Sequence, residues 1–236
     1  MKRFAKKFGA TYSKTERQLA AYFEIGCFFS IVEFYEQKGF ASSLKNLDSK
    51  TNSFRYLTTP SGNPNNFSYV EMASEFEEIE IRQQVRICSH VNAEISFTPD
   101  IVVIPKDVSI EGRKDKDYAG GKKKFFSVHS QDVIAAHECK SLPPFPELLV
   151  SFIGVLIAAH QWYEDDNYEW QENDGLHLAP TLFVGGSARA LHLRMIKALM
   201  DSYPVNILTG MHDGSWKLIN PDAAINTIDI ETSVDI

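Results

Sequence analysis

Apolar and polar positions follow two different rhythms along this chain. Residues 78–88 alternate between the two kinds, which predicts one half-buried strand. The apolar runs over 99–105, 133–139, 179–184 and 205–209 predict four more strands. Helical spacing predicts helices over four further segments: 13–38, 69–76, 147–163 and 188–200. Strands interleaved with helices in this way predict an α/β protein.

Two polar stretches separate the regular segments. Residues 41–68 are rich in Ser, Asn, Thr, Gly and Pro, and residues 106–124 are charged and contain glycines. We interpret both as loop insertions within a single domain that spans residues 1–236, because no second boundary or internal repeat is visible. The first insertion is a candidate lid or substrate contact. The second is a solvated loop or a nucleic-acid contact.

The first predicted helix contains an acid at an unusual position. The sequence from Ser13 to Glu16 fits a capping box, and Gly39 marks the end of the helix. On a helical wheel Glu24 falls near the middle of the apolar arc, whereas Glu33 lies on the opposite side. Glu24 is therefore predicted to point inward toward a site. The alternative is a helix that is apolar nearly all round, with Glu24 escaping through a gap.

Acidic and basic side chains also occur at the ends of two apolar strands. Glu138 and Lys140 are two residues apart, so they share one face of their strand, while His137 and Cys139 share the other. Asp100 begins the strand before it in the predicted sheet. Charged groups beside apolar strands are costly to bury unless they serve a site. Two acids and a lysine are the groups that would hold a divalent cation beside a reacting phosphate.

Composition limits the classes of protein that fit. The chain is 44% hydrophobic and 23% charged, which is typical of a globular protein, and its net charge of -7 argues against a passive basic nucleic-acid coat. The three cysteines form no CxxC pair, so we expect a reducing, cytoplasmic compartment without disulfides. We also expect no secretion signal, because the first residues lack an apolar h-region, and no membrane segment, because the longest apolar run is too short.

Two other motifs have less specific interpretations. Cys88 with His90, and His137 with Cys139, supply ligand types that zinc uses, but each pair is separated by a single residue. Buried cysteines and a core histidine are the favoured interpretation. The glycine pair at Gly185 precedes a predicted helix without a P-loop lysine, so we interpret it as a turn.

The order of these segments and their motifs resembles the PD-(D/E)xK nuclease superfamily, which has the restriction-endonuclease-like fold. The matching residues are Pro99-Asp100, then Glu138-Cys139-Lys140, and the Phe23-Glu24 pair on the first helix. The resemblance covers roughly residues 13–40 and 78–185. It implies a mixed central sheet flanked by helices.

The resemblance also implies a site and an activity. Asp100, Glu138 and the backbone carbonyl of Cys139 would bind Mg²⁺, for which Mn²⁺ would substitute, and Glu24 would reach the cation directly or through water. Lys140 would orient or deprotonate the attacking water, or stabilise the charged phosphate oxygens. The expected reaction is hydrolysis of nucleic-acid phosphodiesters, with DNA favoured over RNA. A homodimer, or a nuclease subunit of a larger complex in a defence or restriction system, is the expected context.

Two rival functions stay open at this stage. One is a non-catalytic scaffold of the same fold that binds nucleic acid or a protein. The other is a metal-independent enzyme that uses His137 or His160.

Overall fold

The computed structural model describes residues 16–60, 62–114, 121, 124–160, 176–212, 215–219 and 229–233. Within these residues the helices are α1 (Glu16–Gln37), α2 (Pro146–Val155) and α3 (Ala190–Ser202). The strands are β1 (Ala41–Lys45), β2 (Tyr69–Ala73), β3 (Glu78–Gln83), β4 (Arg86–Cys88), β5 (Ser96–Phe97), β6 (Ile101–Pro105), β7 (Glu111–Lys114), β8 (Lys124–His129), β9 (Ala135–Lys140), β10 (Thr181–Val184), β11 (Asn206–Leu208), β12 (Ser215–Ile219) and β13 (Asp229–Ser233).

A seven-stranded mixed sheet forms the centre of the fold, with the strand order β1-β2-β3-β6-β9-β10-β11. The strands from β1 to β9 pair antiparallel, and β9, β10 and β11 pair parallel. The coarse expectation of an α/β protein with a mixed sheet and flanking helices is confirmed. The change from antiparallel to parallel pairing takes place at β9, the strand that carries Glu138 and Lys140.

Helix α1 is buried on most of its circumference, which explains its weak amphipathic pattern. Phe28, Phe29, Phe34 and Tyr35 are all nearly inaccessible to solvent. One side of α1 packs on the central sheet, and aromatic rings from the first polar stretch pack against it as well. The ring centroids of Phe28 and Phe54 are 5.7 Å apart. Burial of large aromatic side chains of this kind dominates core energetics.

The first polar stretch therefore differs from its interpretation as a loop insertion. It begins with the edge strand β1, and it places Phe54 and Leu57 in the core. The segment is polar because most of its residues lie at the surface, while a few apolar residues close one side of the core. The second stretch contains strand β7, which is fully exposed along its length.

Residues 69–76 were predicted to be helical, and this prediction is wrong. They contain strand β2, in which Val70 and Met72 are buried while Tyr69, Glu71 and Ala73 are partly exposed. Such two-residue alternation is the strand period, and a short segment does not distinguish it from a helix until its neighbours are known. Here β2 lies between β1 and β3, and pairing with these two strands makes the segment a strand rather than a helix.

The segment 78–88 was predicted to be one strand, and the structure divides it into two. Strand β3 belongs to the central sheet, whereas β4 belongs to a second, four-stranded sheet with the order β5-β4-β8-β7. A small apolar cluster of Val85, Ile87 and Val128 with Val102, Ile104 and Ala136 fills the space between the two sheets. The break falls at Gln84, whose φ of 53° lies in the left-handed region.

The remaining predicted elements lie close to their expected positions. Strands β6, β9, β10 and β11 and helix α3 are present, with shifts of a few residues at their ends. Helix α2 continues into a single π-helical turn, Leu156–His160, and the predicted continuation beyond it lies outside the described residues. The predicted capping box at Ser13 also lies outside them. No helix in the described part of the chain is long and apolar enough to cross a membrane.

Candidate active site

The register between β6 and β9 brings the first two acids together. Ile101 pairs with His137, so Asp100, one residue earlier, lies opposite Glu138 where the two antiparallel strands meet. The backbone N–H of Cys139 donates a hydrogen bond to Asp100 Oδ2 over 2.8 Å. Asp100 is thus fixed by the neighbouring strand, because a carboxylate that accepts a backbone hydrogen bond has little freedom to rotate.

Lys140 joins these two acids. Its Nζ lies 3.5 Å from Asp100 Oδ2 and donates a hydrogen bond to Glu138 Oε1. The predicted shared face of Glu138 and Lys140 is confirmed, since both remain partly accessible while His137 and Cys139 are buried. One ammonium therefore compensates the charge of two carboxylates at the end of the sheet.

The pKa values of Glu138 and Lys140 reflect how close these charged groups lie to one another. Burial raises the pKa of Glu138, and the negative charge of Asp100 raises it further, while Lys140 opposes both effects. For Lys140, burial lowers the pKa, but the charges of Asp100 and Glu138 outweigh burial, so that the pKa lies above its usual range. Lys140 is thus a stable ammonium in this arrangement, suited to orient and neutralise rather than to remove a proton.

Helix α1 brings Glu24 to the same place. Glu24 is 9% exposed, whereas Glu33 on the same helix is exposed, so the inward orientation predicted for Glu24 is confirmed. Burial is the largest cause that raises the pKa of Glu24 to about 8, followed by the negative charge of Asp100. Glu24 therefore keeps its proton at neutral pH in this arrangement, and a positive charge placed beside Glu24 and Asp100 would favour its ionised form.

Gln84 connects the two acids, and no sequence argument identified it. Its side-chain Nε2 donates to Glu24 Oε1 over 3.1 Å and to Asp100 Oδ1 over 2.9 Å. Its backbone N–H donates to the Asp100 carbonyl over 3.1 Å. Gln84 stands at a polar position of the alternating segment 78–88, where an exposed side chain is expected, but the residue is only 7% exposed. The one signal in the sequence was the interruption of the alternation at Gln83.

The site rests on an apolar base. Cys27 of α1 and Cys139 of β9 are both buried in the main core, and the Cys139 side chain faces inward as predicted. His137 is fully buried, and its Nδ1 accepts a hydrogen bond from the backbone N–H of Thr181 over 3.2 Å. His137 is therefore a core residue rather than a ligand or a general base. The side chain of His160 lies outside the described residues.

His212 lies at the edge of the site and was also missed. Its ring stacks edge-on against Phe23, the neighbour of Glu24, with centroids 5.1 Å apart. Its Nε2 lies 3.3 Å from the hydroxyl of Ser141, the neighbour of Lys140. A Cβ added to Gly185 would lie 2.2 Å from His212 Nε2, so the glycine makes room for this ring. The glycine pair thus serves close packing, and α3 begins after it with Arg189 as the N-cap.

The donor chemistry of the cluster fits a hard divalent cation. Asp100, Glu138 and Glu24 supply carboxylate oxygens, the ligands that Mg²⁺ and Mn²⁺ prefer. Among the described residues, however, no three His, Cys, Asp or Glu side chains are already arranged around one point as a metal site. Lys140 lies between two of the acids instead.

Comparison with known proteins finds no matching family model, no matching curated protein and no matching solved structure.

Proposed function

We propose that this chain is a Mg²⁺-dependent nuclease of the PD-(D/E)xK type, with DNA as the favoured substrate. The observation that carries the proposal is the meeting of Asp100, Glu138 and Lys140 at one end of two adjacent strands. Glu24 joins them from a separate element. Four ionisable side chains from three separate segments of the chain, partly buried together, are costly for stability and are typical of a functional site.

Each of these residues has a role that follows from its surroundings. Asp100 and Glu138 would bind the cation, and Glu24, held beside Asp100 by Gln84, would complete its coordination directly or through water. The bound cation would supply Lewis-acid polarisation of the phosphate. Lys140 carries a positive charge next to both acids, so it is placed to orient the attacking water and to neutralise charge that develops on the phosphate oxygens.

Plasmid cleavage by the purified protein with Mg²⁺ or Mn²⁺ tests this proposal. We expect Asp100→Asn and Lys140→Ala each to reduce the cleavage rate at least about 100-fold, the order lost when one charge-stabilising group is removed from an active site. Glu33→Gln is the matched control, because Glu33 is an exposed acid on the same helix as Glu24. Cleavage that survives both site substitutions would remove these residues from the mechanism.

A specific observation also favours a second candidate, a non-catalytic scaffold that binds nucleic acid or protein. Lys140 already compensates Asp100 and Glu138, and the described residues contain no ready-made metal site. Calorimetric titration with Mn²⁺ separates the two functions. A nuclease should bind Mn²⁺ and lose that binding in Glu138→Ala, whereas a scaffold would show no binding in either protein.

A further inference from the structure

A cavity of about 250 Å³ opens directly beside Glu138 and Lys140. It lies between the segment that precedes Asp100 and helix α2. Apart from the two charged residues, the side chains that form its walls are mainly apolar: Phe97, Thr98, Leu148, Ser151, Phe152 and Val155. The cavity is therefore continuous with the candidate active site, although none of these wall residues belongs to it.

The lining of this cavity combines two kinds of chemistry. Glu138 and Lys140 supply a carboxylate and an ammonium, and the rest of the lining is mainly aromatic and aliphatic carbon, with the ring of the buried His137 and the hydroxyls of Thr98 and Ser151. Its volume lies below the range of about 300–1,000 Å³ that is typical of pockets for drug-sized ligands. A fitting ligand is thus a single ring system attached to a charged group.

We propose that this cavity receives the base of one unpaired nucleotide, next to the phosphate that lies at Glu138 and Lys140. This inference rests on the proposed nuclease function and deepens it by naming the substrate class. A nucleotide combines the same two kinds of chemistry as the lining of the cavity, with a charged phosphate at one end and a flat base at the other. The base stacks on apolar and aromatic side chains, and its polar edge bonds to the two hydroxyls.

The substrate follows from this geometry. A base that is stacked and paired within a duplex does not reach a recess beside its own phosphate without leaving the helix. The preferred substrate is therefore a single strand, or a duplex in which one nucleotide is unpaired at the cleaved position. Fully paired DNA binds more weakly, because unstacking and unpairing a base costs a few kcal/mol.

Fluorescence anisotropy with short DNA tests the cavity without any need for cleavage. The protein is titrated in Ca²⁺, which also takes oxygen ligands, against a labelled single strand, the matching duplex, and a series of strands with one abasic site at successive positions. We expect the single strand to bind more tightly than the duplex. We expect one abasic position to weaken binding about 5- to 150-fold, the effect of losing one base stacked on side chains.

Two substitutions on α2 locate the effect. Ser151→Phe fills the cavity, and Val150→Phe adds a similar ring one residue away, at a position that is 54% exposed and not part of the wall. Ser151→Phe should bind every strand of the abasic series equally, whereas Val150→Phe should keep the sensitive position. Circular dichroism checks the fold of both, and Val155→Trp replaces Ser151→Phe if that variant unfolds.

The possible results separate this inference from the proposed function. The cavity assignment is overturned if no abasic position stands out, if the cavity-filling variant keeps one, or if wild type binds the duplex as tightly as the single strand or binds neither. Cleavage in Mg²⁺ is scored independently. Position-dependent binding without cleavage would reject the nuclease function and support the base site. Cleavage without position-dependent binding would support the nuclease function and reject the base site.

Discussion

Gln84 has a backbone and a side chain that both depart from what its sequence position predicts. A non-glycine residue with φ near 53° is uncommon, and such backbone strain persists mainly where the surrounding structure compensates for it. Here the compensation is visible in three hydrogen bonds, two from the side chain and one from the backbone, to Glu24 and Asp100. The strained residue thus holds two acids together that would otherwise repel each other.

Replacing Gln84 by methionine tests that role, because methionine has a similar length but no N–H donor. We expect Gln84→Met to lower the free energy of unfolding by about 1.5–3 kcal/mol, the usual worth of hydrogen bonds to charged groups. We also expect Mn²⁺ affinity to fall about 10- to 100-fold, as it does when a group that orients metal ligands is removed. Urea unfolding and calorimetry measure the two effects.

The neighbouring glutamine provides the control for this experiment. Gln83 is equally buried, but its Oε1 accepts a bond from the backbone of Leu57 over 3.4 Å and takes no part in the acid cluster. Gln83→Met should therefore leave Mn²⁺ affinity unchanged, whatever it does to stability. Equal losses of affinity in both variants would mean that Gln84 acts only through the fold.

His137 predicts a dependence of stability on pH. Complete burial lowers its pKa to about 3, from an ordinary value of 6.5. The unfolded chain therefore takes up a proton at this residue below pH 6.5 while the folded chain does not, so the contribution of neutral His137 to stability is lost as the pH falls toward 3. From this group alone, we expect the free energy of unfolding to fall by up to about 1.4 kcal/mol per pH unit over that interval.

Urea unfolding from pH 7 to pH 4 in wild type and His137→Asn checks this slope. Asparagine keeps an acceptor for the N–H of Thr181 but does not titrate. The variant should lose less stability than wild type as the pH is lowered, whatever its stability at neutral pH. Parallel curves for the two proteins would show that His137 is not the residue responsible.

At the scale of the elements, Gly186, in the turn between β10 and α3, and Gly154, within α2, have opposite functions. A Cβ added to Gly186 would lie 2.6 Å from the backbone of Pro143, which cannot rotate away, whereas a Cβ on Gly154 would meet nothing within 4 Å. We expect Gly186→Ala to destabilise the protein by about 1–3 kcal/mol through overpacking. Gly154→Ala should stabilise it by about 0.5–1 kcal/mol, because glycine weakens a helix interior.

Thermal and urea unfolding of both variants provide the measurement, and each serves as the control for the other. If both substitutions destabilise the protein, then α2 does not tolerate a methyl group on its exposed side. If neither substitution destabilises the protein, then the turn at Gly186 has room for a Cβ, which would contradict its close approach to Pro143.

The sequence predicts those strands that are determined by their own burial, and it does not predict those that are determined by pairing with neighbouring strands. Strands β6 and β10 are nearly continuous apolar runs, and burial on both faces makes such runs strands whatever their neighbours are. The short segment of β2 has no such signal of its own, because its identity is set by pairing with β1 and β3. The apolar runs therefore predict β6, β10 and the edge strand β11, whereas β1 and β2, on the antiparallel side of the sheet, are missed.

The same reasoning explains what was predictable in the candidate site. Glu138 and Lys140 are neighbours on one strand, and Glu24 lies on a helix face, so local periodicity was enough to predict their orientations. The position of Gln84 depends on where the segment 78–88 leaves the central sheet after β3 and enters the second sheet as β4. A left-handed backbone at a glutamine has no strong sequence signature. The contact between Gln84 and Asp100 can be predicted only once this transition between the two sheets is known.

At the scale of the whole molecule, the candidate site exists only when the fold is complete. Its residues come from α1, from the junction of β3 and β4, from the residue before β6, and from β9. Asp100 and Glu138 are brought together by the register of the central sheet, and Glu24 by the packing of α1. A cation that needs several of these acids at once therefore binds the folded chain and not the unfolded one.

This coupling predicts that the metal stabilises the protein. With free Mn²⁺ at 100 times its dissociation constant, the free energy of unfolding should rise by about 2.7 kcal/mol, since only the folded state binds. Chemical unfolding with and without Mn²⁺ measures the increase, and EDTA should reverse it. Glu138→Gln should abolish the increase because it removes a charged ligand, and Glu33→Gln, at an exposed position on α1, should keep it. An equal increase in Glu138→Gln would locate the ion elsewhere on the molecule, and its absence from wild type would favour the scaffold over the nuclease.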